Sequence, residues 1–95
     1  MKQPCVYILA SRRNGTLYTG VTSDLVQRVW QHNNGVVEGF TKRYRVHLLV
    51  WFEIHATMAS AIAPEKAIKE WKRDWKIELI ETGNPNWRDL YGEIL

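Results

Sequence analysis

With 95 residues, the chain is long enough for one small domain with a single modest core, and we expect residues 1–95 to form it. Hydrophobic residues make up 45% of the sequence, which excludes a disordered chain. Thirteen Lys and Arg against ten Asp and Glu give a net charge of +3, which is compatible with a nucleic-acid partner without requiring one.

The one cysteine, Cys5, lies inside an apolar run. A disulfide within the chain is therefore excluded, and no Cys/His set has the spacing of a zinc site. The apolar run near the N-terminus is too short for the core of a signal peptide and far too short to cross a membrane. We expect a cytoplasmic protein with a buried, inert thiol.

The first two predicted elements are strands joined by a tight turn. Apolar residues follow one another over 4–10, as in a central strand, and a second strand is expected over 16–22. Between them, Arg12-Arg13-Asn14-Gly15 predicts a hairpin with a primed turn, because Asn-Gly accepts the positive φ that such turns need. Each strand holds a tyrosine in its apolar run, Tyr7 and Tyr18.

An amphipathic helix is predicted next, over residues 24–33. Thr22-Ser23-Asp24 offers N-cap oxygens, and Asn33-Asn34-Gly35 is a stop signal. Arg28 and His32 stand four residues apart, which places them on one polar face of this helix. An arginine and a histidine so close to two tyrosines indicate a site that handles phosphate.

The remaining segments are a polar basic loop over residues 36–46, a third strand rich in β-formers over 48–54 and a helix over 57–73. They are followed by a short apolar segment of undetermined type over 77–80, a turn over 82–85 and a short closing helix over 87–94. Hairpin, helix, strand and helix in this order predict a small sheet with α+β packing.

The helix predicted in the second half of the chain carries a carboxylate on its apolar side. At 100° per residue, we place Met58 at the centre of the apolar face. Glu65 then falls between Ala61 and Ile62, where an unpaired carboxylate is costly. Lys69, one turn further on, could pair with it, and a metal ion facing the tyrosines is the alternative.

Pro64 directly precedes this carboxylate. A proline in a helix interior costs about 3 kcal/mol and removes a backbone hydrogen bond. Either the helix begins near Ser60, which puts Pro64 in or near the first turn, or the helix kinks just before Glu65. The sequence leaves both arrangements open.

Together these residues resemble the GIY-YIG nuclease superfamily, in particular its small stand-alone, single-domain branch. The first signature corresponds to Val6-Tyr7-Ile8 and the second to Tyr18-Thr19-Gly20. Further matches, spanning nearly the whole chain, are the stretch from Leu17 to His32, Phe40-Thr41-Lys42-Arg43-Tyr44, Glu65-Lys66 with Ile68-Lys69 and Trp71, and Asn84-Pro85 with Trp87 and Asp89-Leu90-Tyr91.

The resemblance implies a small three-stranded antiparallel sheet flanked by helices, in the order β-β-α-β-α with a further helix. It implies metal-dependent hydrolysis of nucleic-acid phosphodiesters, of DNA more than RNA, with low intrinsic sequence specificity. The implied cofactor is a divalent cation, Mg²⁺ or Mn²⁺. The implied catalytic residues are Tyr7, Tyr18, Arg28, His32, Glu65 and Asn84.

In the roles that the resemblance implies, Glu65 holds the metal and Arg28 stabilises charge on the scissile phosphate. Tyr7 and Tyr18 position or deprotonate the attacking water, and the sequence does not say which of them is the base. His32 assists proton transfer or orients Tyr18. Asn84 closes the site by hydrogen bonding.

The chain departs from the family pattern in places. Cys5-Val6 replaces the Gly-Ile of the first signature, and Thr19 replaces the Ile of the second. Pro64 stands where a charged or polar helical residue is typical. A proline at this position affects the direction expected for the Glu65 side chain. Members commonly carry a separate DNA-binding domain, and we expect none in this chain. Target choice is then weak or supplied by a protein partner.

Two other functions compete with the nuclease. Basic side chains among aromatic ones favour a nucleic-acid-binding module that is catalytically weak or inactive. The expected nucleic-acid contacts are Arg12, Arg13, Lys42, Arg43 and Lys69. The third hypothesis is a protein-interaction domain that docks a partner through surface tryptophans, because three of them cluster late in the chain, namely Trp71, Trp75 and Trp87.

Overall fold

The structure is a computed structural model that describes residues 2–95. Within these residues, three strands and five helices follow one another as β1 (Cys5–Ala10), β2 (Leu17–Thr22), α1 (Leu25–Asn33), α2 (Phe40–Arg43), β3 (Leu48–Ile54), α3 (Met58–Glu70), α4 (Arg73–Gly83) and α5 (Tyr91–Ile94). No helix in the described part of the chain is both long enough and apolar enough to cross a membrane.

The strands form one antiparallel sheet in the order β2-β1-β3. The expected α+β fold with a small antiparallel sheet is therefore confirmed. All six residues of β1 are buried, as expected of the central strand, and Cys5 lies among them. In the β1–β2 register, Tyr7 faces Gly20 and Leu9 faces Tyr18, so both tyrosines lie on the same face of the sheet.

Each face of the sheet has its own apolar cluster, because successive residues of β1 point to opposite sides. One cluster contains Cys5, Tyr7 and Leu9 of β1 together with residues of α1 and α5. The other contains Val6, Ile8 and Ala10 of β1 together with residues of α3 and α4. The first cluster carries Tyr7 and packs against α1, which holds Arg28 and His32, whereas α3 with Glu65 packs on the other cluster.

The hairpin is present, but its turn differs from the primed turn expected for Asn-Gly. The connection spans residues 11–16 and is closed by the Ser11 amide, which donates to the Thr16 carbonyl at 3.0 Å. Within it, Asn14 has a φ of 58°, whereas Gly15 lies outside the left-handed region. The Ser11 hydroxyl accepts a hydrogen bond from the Thr16 amide at 2.9 Å and so ends the strand ladder before a two-residue turn can form.

The segment 36–46 was expected to be a loop and contains the single-turn helix α2. A helix of four residues is too short to show an apolar period, so the sequence gives no sign of it. It follows Gly39, whose φ of 110° favours glycine. Thr41 is buried, so one polar side chain of this segment points into the protein.

The prediction of one continuous helix over 57–73 is wrong at its C-terminal end. Helix α3 ends at Glu70, Trp71 and Lys72 are extended, and α4 begins at Arg73. Helix α4 includes the apolar segment 77–80 and also Thr82 and Gly83, which were expected in a turn. The two extended residues redirect the chain so that both α3 and α4 pack on the same apolar cluster. Neither residue is a glycine or a proline that would signal a break.

Helix α3 begins at Met58, so Pro64 lies in the helix interior and the start near Ser60 is excluded. Thr57 is the N-cap and shares a reciprocal capping box with Ser60. Glu65 is buried, as predicted. The apolar face is not centred on Met58, because that side chain is 36% exposed and the buried positions are Ala61, Glu65 and Ile68.

The closing helix is shorter than the predicted 87–94, since α5 begins only at Tyr91. Trp87 has a φ of 56°, which a helix does not accept. The following residues run beside β3 instead. Leu90 donates its amide to the Leu49 carbonyl at 2.8 Å, and the Asp89 carboxylate accepts the Leu49 amide at 3.2 Å. Hydrogen bonds to Leu49 of β3 have replaced the expected helical bonds in this segment.

Candidate active site

Tyr7 lies at the centre of the site because the register of the sheet places it opposite Gly20. The tyrosine is 1% exposed, and its ring lies over the glycine. A Cβ atom at position 20 would come within 2.5 Å of the Tyr7 hydroxyl and 2.6 Å of its Cζ. Gly20 therefore serves close packing rather than an unusual φ, a role that the signature motif alone does not reveal.

His32 of α1 joins Tyr7 to a second hydroxyl. Its Nε2 lies 3.2 Å from the Tyr7 hydroxyl, and its Nδ1 lies 2.8 Å from Thr41 Oγ1 of α2. All three side chains are buried, so both ring nitrogens have partners away from solvent. Thr41 was not among the predicted site residues. Its place in the basic segment of the family pattern was the available signal, but α2 itself was not predicted.

Tyr18 completes an aromatic group with these residues. Its ring centroid lies 5.5 Å from that of His32 and 6.3 Å from that of Tyr7. The histidine was expected to assist proton transfer or to orient Tyr18. The structure shows a ring contact with Tyr18 and the hydrogen bond to Tyr7, so His32 touches both tyrosines.

Two charged side chains act on Tyr7, and both were predicted site residues. Burial raises the pKa of Tyr7 to about 12, and the neighbouring Tyr18 and, more weakly, Glu65 of α3 add to the rise. Arg28 of α1 opposes this shift, through a hydrogen-bonding interaction and through its positive charge. The site therefore places a cation and a carboxylate within electrostatic reach of one phenol.

The electrostatics of His32 follow the same causes. Burial lowers its pKa, and the positive charge of Arg28 lowers it further. The imidazole is therefore neutral near pH 7, with one nitrogen donating and the other accepting. If Nδ1 donates to Thr41, Nε2 is free to accept the proton of the Tyr7 hydroxyl.

Glu65 is 6% exposed and forms an ion pair with Lys69, one turn later on α3. Among residues 2–95, no group of three His, Cys, Asp or Glu side chains could hold a metal ion. Magnesium is commonly bound through one or two carboxylates, with water and substrate phosphates filling its other positions. A single buried carboxylate within electrostatic reach of Tyr7 fits an ion that arrives with a phosphate, and it does not fit a cage made by protein ligands alone.

Asn84 lies elsewhere in the hydrogen-bond network. Its Nδ2 donates to the Val50 carbonyl of β3 at 3.1 Å and to the Arg88 carbonyl at 2.8 Å. Its Oδ1 accepts the Arg88 amide at 3.0 Å. These contacts fasten the C-terminal end of α4 to the sheet. The catalytic role expected for Asn84 stays a prediction, and its contacts favour positioning over chemistry.

The five expected nucleic-acid contacts lie on three parts of the chain, the hairpin, α2 and α3. Arg12 lines an open cavity of about 550 Å³ together with Arg73 and Lys76 of α4, neither of which was predicted. The guanidinium of Arg73 also donates to the carbonyls of Asn14 and Gly15, at 2.6 Å each.

The other expected contacts differ in their partners. Lys42 forms an exposed ion pair with Glu38 at 2.8 Å, and Arg43 lies over the ring of Tyr44 at 5.6 Å. Lys69 is engaged by Glu65, while Arg13 is exposed on the hairpin. Lys69 is therefore less available to a phosphate than the sequence suggests.

The late tryptophans do not form one surface, contrary to the interaction hypothesis. Trp87 is buried, and its indole N–H donates to Glu81 at 2.7 Å. Trp71 and Trp75 meet edge to face with ring centroids 6.2 Å apart, and Trp75 is 54% exposed. At most these last two could contact a partner.

The chain is similar to known proteins over most of its length. A family model described as the GIY-YIG catalytic domain matches residues 3–78. A UPF0213 protein of Staphylococcus saprophyticus is 36% identical over 83 residues, which cover 87% of this chain and 100% of the relative. A UPF0213 protein of Staphylococcus aureus is 38% identical over 76 residues, 80% of this chain and 92% of the relative.

A solved structure has a similar fold. The solution NMR structure of a UPF0213 protein from Bacillus halodurans matches with a TM-score of 0.57 and 25% sequence identity, over 92% of each chain. This likeness confirms the three-stranded sheet with its flanking helices.

Proposed function

Because the chain belongs to the GIY-YIG catalytic domain family, we propose that it is a metal-dependent endonuclease that hydrolyses phosphodiester bonds of nucleic acid, DNA rather than RNA. The family is a nuclease family, which supports the class of reaction. The observation that carries the proposal for this chain is the buried, hydrogen-bonded series Tyr7–His32–Thr41, whose tyrosine is within electrostatic reach of Arg28 and Glu65.

In the proposed reaction, Tyr7 removes a proton from the attacking water. Its high pKa makes the free phenolate scarce near neutral pH, so the phenol needs a neighbour that takes its own proton. Neutral His32 is that neighbour, because its Nε2 can accept from the Tyr7 hydroxyl while Thr41 holds Nδ1. The proton moves from water to Tyr7 and from Tyr7 to His32 as the water oxygen bonds to phosphorus.

Arg28 acts on the phosphate in this proposal. Its guanidinium is half-buried and its charge already reaches both Tyr7 and His32. As negative charge grows on the phosphate oxygens and the leaving oxygen departs, a fixed cation at this place stabilises the transition state. Tyr18 lines the same site and orients the substrate or the water.

Glu65 would hold the metal, Mg²⁺ or Mn²⁺, which when bound supplies charge neutralisation at the phosphate and the leaving oxygen. The carboxylate would exchange its partner Lys69 for the metal and the substrate together. Pro64 lies inside α3, yet Glu65 remains on the buried face of the helix. This position supports the proposed role of Glu65 as a metal ligand.

The test is a cleavage assay with labelled single-stranded, branched and duplex DNA and with RNA, in Mg²⁺ and in Mn²⁺. Glu65→Gln and Arg28→Ala should abolish cleavage while binding to the same substrates persists. Glu70→Gln is the matched control, since Glu70 is an exposed carboxylate on the same helix. Absence of metal-dependent cleavage in the wild type on every substrate would reject the proposal.

A nucleic-acid-binding module without catalysis is the second candidate. The observation that favours it is the ion pair between Lys69 and Glu65, because the ammonium already satisfies the carboxylate that a metal would need. This candidate requires binding that weakens as salt is added and does not depend on the metal.

For the nuclease, we also propose a cytoplasmic location. Its choice of target would rest on low intrinsic sequence specificity or on a protein partner.

A further inference from the structure

A row of aromatic rings leads to the surface from the candidate active site with Tyr7, Tyr18 and His32. The centroid of Phe40 lies 6.2 Å from that of Tyr18, and the centroid of Tyr44 lies 4.8 Å from that of Phe40. Phe40 and Tyr44 are each 46% exposed, although Thr41 of the same short helix is buried. Two neighbouring rings are thus presented to solvent at the margin of the site.

Two cations and one carboxylate lie around this exposed pair. The Arg43 guanidinium lies 5.6 Å from the centre of the Tyr44 ring, and Lys42 is exposed one residue before it. An open cavity of about 620 Å³ is lined by both rings and both cations. The one carboxylate there, Glu38, is engaged by Lys42. The surface therefore combines flat apolar faces with cations, the combination that suits a base on an anionic backbone.

We propose that Phe40 and Tyr44 form a stacking platform for an unpaired base of a single-stranded nucleic acid, with Arg43 and Lys42 contacting its phosphates. The inference rests on the proposed function and narrows its substrate to strands with unpaired bases. In a duplex, neighbouring base pairs cover the faces of each base, so internal bases cannot reach exposed rings. In a single strand each base has a free face for stacking.

The platform lies where such a strand would enter the site. Phe40 contacts Tyr18 directly, and Tyr18 contacts His32 and Tyr7. A base held on Phe40 thus places the adjoining backbone beside the cluster that acts on phosphate. Thr41 lies between Phe40 and Tyr44 in the chain and is hydrogen-bonded to His32, so one turn of helix couples substrate contact to the histidine.

Binding measurements on a non-cleaving background test this inference. In Glu65→Gln without metal, fluorescence anisotropy gives affinities for a single-stranded oligonucleotide and for the blunt duplex of the same sequence. Phe40→Ala and Tyr44→Ala should each weaken single-strand binding by about 5- to 150-fold, the range of one base stacked on one aromatic side chain. Duplex affinity should stay within about twofold, and Tyr44→Phe should bind single strands like its parent.

Trp75→Ala is the matched control, because Trp75 is an exposed aromatic residue of α4 outside the platform. Thermal unfolding of each variant separates lost stacking from lost folding, and Tyr44→Ala leaves the helix residues of α2 unchanged. The platform would be overturned if both alanine variants bound single strands as tightly as the Glu65→Gln parent, or if they lost the same affinity for duplex as for single strand. Metal-dependent cleavage by the wild type would then still support the nuclease. A wild type that neither binds nor cuts any nucleic acid would reject both.

Discussion

The ring of Tyr7 occupies the space that a side chain at position 20 would need. Gly20→Ala places its Cβ within 2.5 Å of the Tyr7 hydroxyl, so the ring must move away from its place beside His32. We expect a loss of about 1–3 kcal/mol in the free energy of unfolding, the usual cost of overpacking, together with a large loss of cleavage. Urea unfolding and single-turnover cleavage measure the two effects.

Gly83→Ala is the control for that substitution. Gly83 is the last residue of α4, and a Cβ there would have no heavy atom within 4 Å. This variant should unfold at the same urea concentration as the wild type or slightly higher. Equal behaviour of the two alanine variants would contradict the packing role of Gly20.

Thr41 is expected to act as a positioning residue through His32. Thr41→Val keeps the shape of the side chain but leaves the buried Nδ1 of His32 without its hydroxyl partner. We expect a cost of about 1–3 kcal/mol in stability, and a fall in kcat with KM nearly unchanged. Thr41→Ser restores the hydroxyl and should restore kcat, whereas a fall in both variants would point to packing alone.

Stability should depend on pH through His32. Its pKa in the folded protein is lowered by burial and by Arg28, whereas in the unfolded chain it stays near the ordinary value of about 6.5. As the pH falls below about 6.5, the unfolded state therefore takes up a proton that His32 binds more weakly in the folded state, and the protein loses stability. His32→Gln, which keeps a polar side chain but cannot titrate, should weaken this dependence.

Urea unfolding of both proteins between about pH 8 and pH 5 measures the difference. The wild type should lose more stability across this interval than the glutamine variant. Parallel curves for the two proteins would show that the titration of His32 is not linked to folding.

A substitution of Asn84 can separate its expected catalytic role from its role in fastening the C-terminal end of α4 to the sheet. Asn84→Ala removes the side chain that bonds Val50 and Arg88, and it leaves a buried carbonyl of β3 without that donor. We expect a loss of about 2–4 kcal/mol in stability. Cleavage per folded molecule, measured well below the melting temperature, should stay near that of the wild type. A large loss of kcat in well-folded protein would instead support the catalytic role.

The ion pair between Lys69 and Glu65 predicts a linkage between metal and folding. Lys69→Met leaves the buried carboxylate without its cation, so in a chelator this variant should be less stable than the wild type by about 1–3 kcal/mol. Added Mg²⁺ should stabilise Lys69→Met more than the wild type, because no ammonium competes for the carboxylate. Identical melting curves with and without Mg²⁺ in both proteins would argue against a metal at Glu65.

The sequence predicts much of the fold because its strongest patterns are local. The apolar run of β1, the β-formers of β3 and the capped period of α1 each identify their element, and the hairpin follows from their spacing. The boundary between α3 and α4 could not be predicted in this way. Trp71 and Lys72 are ordinary helix residues whose extended backbone is set by packing of two helices on one face of the sheet.

For the candidate site, the family pattern identifies residues and the structure supplies their relations. Tyr7, Tyr18, His32 and Glu65 are found by motif, but nothing in the motif states that Tyr7 bonds His32 or passes over Gly20. These relations depend on strand register and on the volume of a ring, which a linear pattern does not contain. Thr41 was missed because its helix is a single turn, too short to have a period.

One feature of the site concerns the order in which the chain is synthesised. The rings, the guanidinium and the hydroxyl that surround Tyr7 all come from residues 7–44, whereas Glu65 belongs to α3. These groups are therefore synthesised before the carboxylate of Glu65. In the proposed nuclease, the residues assigned to the substrate precede the residue assigned to the metal, and docking of α3 on the sheet completes the site.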